Sequence, residues 1–177
     1  INGLKTTFEF DVMQRFKLSK DHEGNLLNFN AYNFGTNPKI TSSVFRTETT
    51  NNDDASNHTK ANITTTYFDG LGNEVQKVGL KLSPNFNDIV SNSIELDLYG
   101  RAFKSYLPAP ATTGTGAYQA DPQSLGNTFY GDDRPFSQVL VYENSPLNRE
   151  KETIGAGKIW NDNNKKITHF YESAGTD

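Results

Sequence analysis

The sequence predicts an all-β fold built from antiparallel β-hairpins in a twisted sheet. Three observations predict it: strand-forming residues are abundant, turn-forming residues are abundant, and short apolar alternations are separated by turns. The 177 residues include 18 Thr, 12 Phe and 8 Tyr beside 20 Asn and 14 Gly. Thr and aromatic side chains suit half-buried pleated surfaces, whereas Asn and Gly suit tight turns. No window combines a helix-period apolar stripe with capping residues.

Alternating apolar residues locate the strands. The first alternation covers residues 8–18 and predicts one long strand with one buried face. A second strand is predicted at residues 27–31, before a turn-rich stretch. The remaining predicted strands are short and lie at residues 63–68, 78–82, 94–98, 103–107, 139–142 and 167–171. Residues 108–116 combine Pro, Gly, Ala and Thr and are therefore predicted to form a loop.

A polar segment divides the chain. Residues 51–57 read NNDDASN and offer almost nothing apolar to anchor a strand, so we predict a linker or loop that is mobile and tolerates insertion. The predicted organisation is N-terminal strands at residues 1–50, this linker, and a β domain at residues 58–177.

Composition excludes several classes of function. The net charge of −4 argues against a globally basic nucleic-acid binder. No apolar run approaches the ~20 residues of a transmembrane helix, so no membrane span is predicted. The absence of Cys removes disulfides, thiol catalysis and thiolate metal sites.

No pattern in the chain indicates catalysis, a metal site or a cofactor. The three histidines, His22, His58 and His169, have no metal-binding spacing. The stretch 155–158 (GAGK) lacks the earlier Gly and the following Ser or Thr of a phosphate loop, so a plain turn is predicted. Three aromatic residues are candidates for stacking on a ligand, with packing between strands as the alternative: Trp160, Tyr118 and Tyr130.

A short spacing recurs in the predicted turns. Asp69, Gly72 and Asn73 follow the pattern Asp-x-x-Gly-Asn. The same offsets occur at two other places, as Asp21, Gly24 and Asn25 and as Asp97, Gly100 and Arg101. In a hairpin turn the carboxylate accepts backbone N–H bonds, and Gly takes the positive φ. The repeated offset therefore predicts turn-forming, non-catalytic aspartates.

The residues around these turns resemble a known family. Residues 66–73 (TYFDGLGN) contain Tyr67 and Phe68 and are similar to the YFDGLGR signature of Bacteroidetes RHS-repeat (YD-repeat) proteins. Residues 96–101 resemble the next YDxxGR unit, and residues 105–108, with Leu107 and Pro108, resemble a KxYLPY stretch. Residues 142–149 (YENSPLNR) resemble the YExSPLNR element. The matching residues of that element are Tyr142, Pro146, Asn148 and Arg149.

The resemblance covers roughly residues 57–171 with the motifs in series, and two positions depart from it. Asn73 stands where the family usually has Arg, and Leu96 stands where the repeat usually has Tyr. These departures weaken the expectation of a stacked Tyr–Arg contact at this copy but leave the turn chemistry intact. Residues 1–50 carry no matching motif.

The resemblance implies a structural role in a large protein. Such proteins wind β-hairpin repeats into a spiralling, often hollow shell, and these shells can enclose a C-terminal toxin. The implied location is secreted or on the bacterial cell surface, with export by the type nine (type IX) secretion system. The implied partners are the remainder of the same RHS polypeptide and, during export, the secretion channel or surface subunits.

Two other functions stay open at the level of sequence. A carbohydrate- or cell-surface-binding β module would present clustered aromatic residues on an exposed face. A hydrolase would need a pocket of converging acids with shifted pKa values. The prediction from sequence is a non-enzymatic structural module.

Overall fold

The computed structural model describes residues 4–172 and is all-β, with two antiparallel sheets. The described residues divide into two compact units. The first comprises residues 4–91 and 110–119, and the second comprises residues 92–109 and 120–172. The predicted linker at 51–57 lies inside the first unit.

Residues 4–172 form thirteen strands and three short helical segments. The strands are β1 (Thr7–Phe10), β2 (Phe16–Lys20), β3 (Leu26–Asn33), β4 (Lys39–Phe45), β5 (Ala61–Phe68), β6 (Glu74–Gly79), β7 (Ile89–Ser91), β8 (Ile94–Leu96), β9 (Ala102–Tyr106), β10 (Ala109–Pro110), β11 (Phe136–Tyr142), β12 (Glu150–Ile154) and β13 (Lys166–Thr168). The helical segments are a 3-10 helix (Asn52–Ser56), α1 (Pro122–Tyr130) and α2 (Lys158–Asp162). Within residues 4–172, no helix has the length and apolar character needed to cross a membrane.

The first sheet has the order β1-β2-β3-β4-β5-β6-β7-β10. From β1 to β7 each strand pairs antiparallel with the next along the chain, as hairpin connections require. Residues that are paired across neighbouring strands point to the same face of the sheet. The register therefore forms one row across β2 to β5 from Leu18, Phe29, Ser43 and Ile63. Leu18 and Ile63 are buried core residues of this unit.

The second sheet has the order β13-β12-β11-β9-β8. Its core includes Tyr106, Phe136 and Ile154, all buried, and the first two rings meet edge to face at 5.3 Å between centroids. This T-shaped arrangement is a favourable one for aromatic rings. The outer strands of this sheet are β13 and β8.

The N-terminal alternation forms two strands, and the prediction of one long strand is wrong. β1 and β2 pair through a turn at residues 11–15. The alternation misleads because it continues through the turn, where Val12 is fully exposed. The ring of Phe16 contacts those of Phe8 and Phe10 across the hairpin at 6.3 Å.

The polar segment 51–57 contains an anchored 3-10 helix. Asn51 caps it by accepting a hydrogen bond from the backbone N–H of Asp53, and Asp54 and Ala55 are buried. The Asp54 carboxylate accepts hydrogen bonds from Thr49 and Lys60, and the Ser43 hydroxyl donates to the carbonyl of Ala55. Polar composition therefore supplies side-chain hydrogen bonds that fix this segment against β4.

Helix α1 was not predicted, although its ends carry ordinary signals. The carboxylate of Asp121 accepts a hydrogen bond from the N–H of Ser124, and Pro122 occupies the first turn. Gly131 ends the helix with a φ of 64°.

Candidate functional site

The predicted turn at Asp69 has a specific hydrogen-bond geometry. One oxygen of its carboxylate accepts the backbone N–H groups of Leu71 and Asn73 at 2.9 and 2.8 Å, and the other accepts the Asn73 side-chain amide at 2.8 Å. Gly72 has a φ of 88°, a conformation that glycine adopts without a Cβ penalty. The Asn73 hydrogen bond and the two backbone N–H groups hold the pKa of Asp69 below its usual value. This carboxylate is engaged in forming the turn.

The same geometry occurs at the other predicted turns and at one that the sequence reading missed. Asp21 and Asp97 each accept backbone N–H bonds from the residues two and four positions later. So does Asp11, whose turn has Gln14 at the position of the glycine, with a φ of 61°. Its detectable signal is the Asp-x-x-x-Arg spacing of Asp11 and Arg15.

Turns that end in Arg carry a further contact. The Nε atoms of Arg15 and Arg101 each donate to the second carboxylate oxygen of their turn aspartate at 2.7 Å. Each guanidinium also lies over a tyrosine ring, with Arg15 at 4.3 Å from the centroid of Tyr32 and Arg101 at 4.1 Å from that of Tyr142. Such cation–π contacts add to the charge-assisted hydrogen bonds.

The tyrosine hydroxyl completes the arrangement. Tyr32 donates to the carbonyl of Phe16, and Tyr142 donates to that of Ala102. In both cases the acceptor is the residue immediately after the arginine. We call this set of an acid, an arginine and a tyrosine a clasp, since it ties a hairpin turn to another strand of the same compact unit.

A third clasp is formed by the YENSPLNR element. The Arg149 guanidinium donates to both carboxylate oxygens of Glu143, at 2.9 and 2.8 Å, and lies 4.5 Å from the centroid of Tyr171. The Tyr171 hydroxyl donates to the carbonyl of Glu150, again the residue after the arginine. Asn148 takes the positive φ, 51°, that glycine takes in the shorter turns.

The two clasps of the second unit are joined. The side-chain oxygen of Asn148 accepts a hydrogen bond from Arg101 at 3.3 Å, and Tyr142 and Glu143 are consecutive residues belonging to different clasps. Among the residues of the YENSPLNR element, Pro146 lies in the turn, and a Pro there has no N–H to satisfy. In this unit Arg101 thus stacks on Tyr142, which directly precedes the acid of the third clasp, and Arg149 stacks on Tyr171, which is likewise followed by a glutamate, Glu172.

Protonation of Glu143 is expected to weaken the second unit. Hydrogen bonds from Arg149 and then Ser145 lower the pKa of Glu143 from 4.5 to about 2. A lowered folded-state pKa means that the stabilisation is complete above the unfolded value and is lost as the pH falls through about 2. We expect the urea midpoint of the second unit to fall as the pH is lowered from 5 toward 2. This fall should be smaller in Glu143→Gln than in the wild type. Exposed Glu150→Gln is the control, and an unchanged wild-type slope in Glu143→Gln would contradict the assignment.

The family-motif residues of the first unit also serve structure. Tyr67 is buried, its hydroxyl donates to the carbonyl of Gly116 at 2.7 Å, and its ring packs against Tyr118 at 5.3 Å between centroids. Burial raises the pKa of the Tyr67 hydroxyl. Phe68 ends β5, with its N–H donating to the carbonyl of Pro38. The stacking candidate Tyr118 therefore packs on the sheet.

The other candidate aromatic residues lie in the second unit. Tyr130 ends α1, donates its hydroxyl to the carbonyl of Pro108 at 2.5 Å and packs on Phe129. The N–H of Leu107 donates to the carbonyl of Pro135, so the motif pair at residues 107–108 is fixed on both sides. Trp160 lies on α2 with 56% of its surface exposed, and within residues 4–172 it forms no aromatic pair. The three candidates do not form one stacking platform within either unit.

The turn at residues 155–158 is closed by a carboxylate of the chain itself. Both oxygens of Asp132 accept the N–H of Lys158, at 2.9 and 3.1 Å, and one also accepts the N–H of Arg134. These backbone N–H groups hold the pKa of Asp132 below its usual value. An internal anion thus occupies the start of α2. Over the described part of the chain, no three His, Asp or Glu side chains come together in a metal-binding group.

Sequence reasoning missed a buried anchor in the first unit. Asp88 is 0% exposed, and its carboxylate accepts the backbone N–H groups of Lys81, Thr115 and Gly116 at 2.9, 3.0 and 2.6 Å. The buried Gln76 side chain likewise bonds to both the N–H and the carbonyl of Gln119. These groups hold the segment 110–119, which overlaps the loop predicted at residues 108–116, against the sheet.

Comparison with known proteins identifies one family. The family model described as "Domain of unknown function (DUF6443)" matches residues 41–173, well over half of the chain. The matched range begins in β4 and includes the turns at Asp69 and Asp97 and the third clasp. No curated protein and no solved structure matches the chain.

Proposed function

The chain belongs to the DUF6443 family, and we propose that it is a non-enzymatic structural segment of a larger β-hairpin repeat protein of the RHS (YD-repeat) type. In this proposal the two sheets are part of a spiralling shell in which each hairpin pairs with its neighbours. The role of the described residues is to hold hairpins in register rather than to transform a substrate.

The observation that carries the proposal is the recurrence of the clasp. Three copies share an acid that forms the turn, an arginine that binds the acid, and a tyrosine that binds the next carbonyl. One device used repeatedly at hairpin ends is typical of repeat architectures, in which each repeat is stabilised by its neighbours. The acids are engaged in these contacts, and this supports a structural role for them.

The outer edge of the second sheet supports a partner of the same kind. β13 is an edge strand, its Ile167 and the nearby Phe170 are exposed, and Tyr171–Glu172 repeats the consecutive Tyr–Glu pair of Tyr142 and Glu143. An open apolar edge favours addition of another strand. We therefore propose that the partner is the rest of the same polypeptide, with the secretion channel or a surface subunit as the contact during export.

The proposed location follows from the resemblance of the motifs rather than from the geometry. It is secreted or on the cell surface, by type nine secretion in a Bacteroidetes host, with an enclosed toxin as one cargo of such shells.

Hydrogen exchange at single-residue resolution tests the open edge. The N–H of His169 donates to the carbonyl of Lys151. By the alternation of an antiparallel pair, the backbone groups of Thr168, opposite Glu152, point away from β12. In dilute solution we expect rapid exchange at Thr168 and slow exchange at His169.

Sedimentation provides the matched test of association. We expect concentration-dependent self-association of the wild type, and its loss in Thr168→Pro, because this substitution removes an outward N–H and leaves the bonds to β12 in place. Strong protection of Thr168 in a wild-type protein that stays monomeric would show that the sheet edge is closed and would contradict the proposal.

A further inference from the structure

A cleft on one face of the first sheet is separate from the clasps. Its volume is about 520 Å³, within the usual range for small-molecule sites. The floor is formed by β3, β4 and β5, with Phe29, Ala31, Thr41 and Thr65 among its lining residues. One wall is the 3-10 helix at residues 52–56, and the other is formed by residues 115–116.

Both walls are fixed by buried polar contacts. The Ser43 hydroxyl donates to the carbonyl of Ala55 at 2.6 Å, which holds the 3-10 helix against β4. The Asp88 carboxylate accepts the N–H groups of Thr115 and Gly116, which hold the opposite wall. The cleft is therefore preformed, and a ligand would not bear the cost of ordering it.

The floor cannot recognise a peptide by strand addition. β3, β4 and β5 are interior strands, and their backbone groups pair with each other and with β2 and β6. Recognition at this face must come from side chains. The available side chains are hydroxyl, amide and carboxylate groups beside apolar ones such as Ile63 and Leu80, with one half-buried aromatic ring, that of Phe29.

The charges at the cleft disfavour two further ligand classes. Lys39 lies on the same face of β4 as Thr41, and Asp53 lies on the 3-10 helix, so both a cation and a carboxylate line the cleft. A single lysine with an acid in the same cleft is a poor match for a polyphosphate. The polar side chains spread along the cleft, among them Thr41, Asn52 and Thr115, are a poor match for a lipid chain.

We infer that this cleft binds a saccharide. Hydroxyl and amide groups of Thr41, Asn52 and Thr115 suit the alternating donors and acceptors of sugar hydroxyls. The Phe29 ring has no aromatic or cationic neighbour among residues 4–172 and lies where the apolar face of a pyranose ring would pack. This inference is independent of the structural role proposed above, since the cleft shares none of the clasp residues.

The test uses the 177-residue chain and a panel of soluble oligosaccharides: cello-oligomers, chito-oligomers and uronic-acid oligomers. We expect at least one member to bind by calorimetry, with NMR shift changes centred on Ala31, Thr41 and Thr115. Ala31 is exposed in the cleft, so Ala31→Tyr fills the space without entering the core and should weaken binding by about tenfold or more.

Asn30→Tyr is the matched control, because it adds the same side chain at the neighbouring position of β3 on the opposite face. It should leave the affinity unchanged. Absence of binding by every member of the panel, binding that Ala31→Tyr leaves intact, or shift changes elsewhere on the wild-type protein would each overturn the inference. The shift map needs no variant, so a poorly folded Ala31→Tyr protein would not prevent a decision.

Discussion

Replacing Asp88 by alanine is expected to lower the free energy of unfolding of the first unit by about 3–4 kcal/mol, since three backbone N–H groups lose a charged acceptor in a buried site. Two of these groups, at Thr115 and Gly116, hold the segment 110–119. Urea unfolding measures the loss, and hydrogen exchange should show that this segment loses protection first.

Asp69→Ala is the matched control for that experiment. Asp69 also accepts backbone N–H bonds, but its turn is exposed, so water replaces the carboxylate when it is removed. We expect a clearly smaller loss of stability than for Asp88→Ala. Equal losses for the two variants would show that burial of the acceptor contributes little, and would contradict the role assigned to Asp88.

The contrast between these two aspartates explains what the sequence could predict. The turn at Asp69 is complete within five residues, and its Gly72 reveals the positive φ that the turn needs. Local geometry of this kind is visible in the spacing. Asp88 instead acts on residues 27 and 28 positions away, and no short pattern encodes that contact.

The clasps show the same limit. The acid and the arginine are four residues apart at Asp97 and Arg101 and can be read as a pair. The tyrosine that the arginine stacks on is Tyr142, whose hydroxyl reaches a carbonyl 40 residues earlier in the chain. Sheet topology brings these partners together, so their contact depends on the strand order β11-β9 rather than on local spacing.

Two local signals were present but were outweighed. Asp121, Pro122 and Gly131 mark both ends of α1, yet the segment between them has no strong apolar stripe and contains Gly126. At residues 8–18 the turn is hidden in the sequence by the apolar alternation, because Gln14 occupies the position at which a glycine would indicate the turn. At both places capping and turn chemistry determine the local structure, and the periodicity of hydrophobic residues does not reveal it.

Replacement of Arg101 by alanine is expected to destabilise the second unit by about 2 kcal/mol, because a partly buried arginine loses both its cation–π contact and its charge-assisted bonds. Its guanidinium lies 4.1 Å from the Tyr142 centroid and also donates to Asp97 and Asn148. Arg101→Lys keeps the charge but cannot form the planar fork, so it should recover less than the full loss. Urea unfolding of the three proteins measures these differences.

A second readout separates the clasp from a general packing effect. Burial, and then the Glu150 charge, raises the pKa of Tyr142, whereas the Arg101 charge lowers it. Removal of that positive charge in Arg101→Ala should therefore raise the pKa of Tyr142 further, and Arg101→Lys should leave it closer to the wild-type value. NMR titration of the Tyr142 ring measures the shift.

Arg134→Ala is the control, because Arg134 lies over Phe136 and donates to Gln138 rather than to a carboxylate. A Tyr142 pKa that does not respond to Arg101→Ala, or that responds equally to Arg134→Ala, would mean that the guanidinium and the tyrosine are neighbours without acting as one unit.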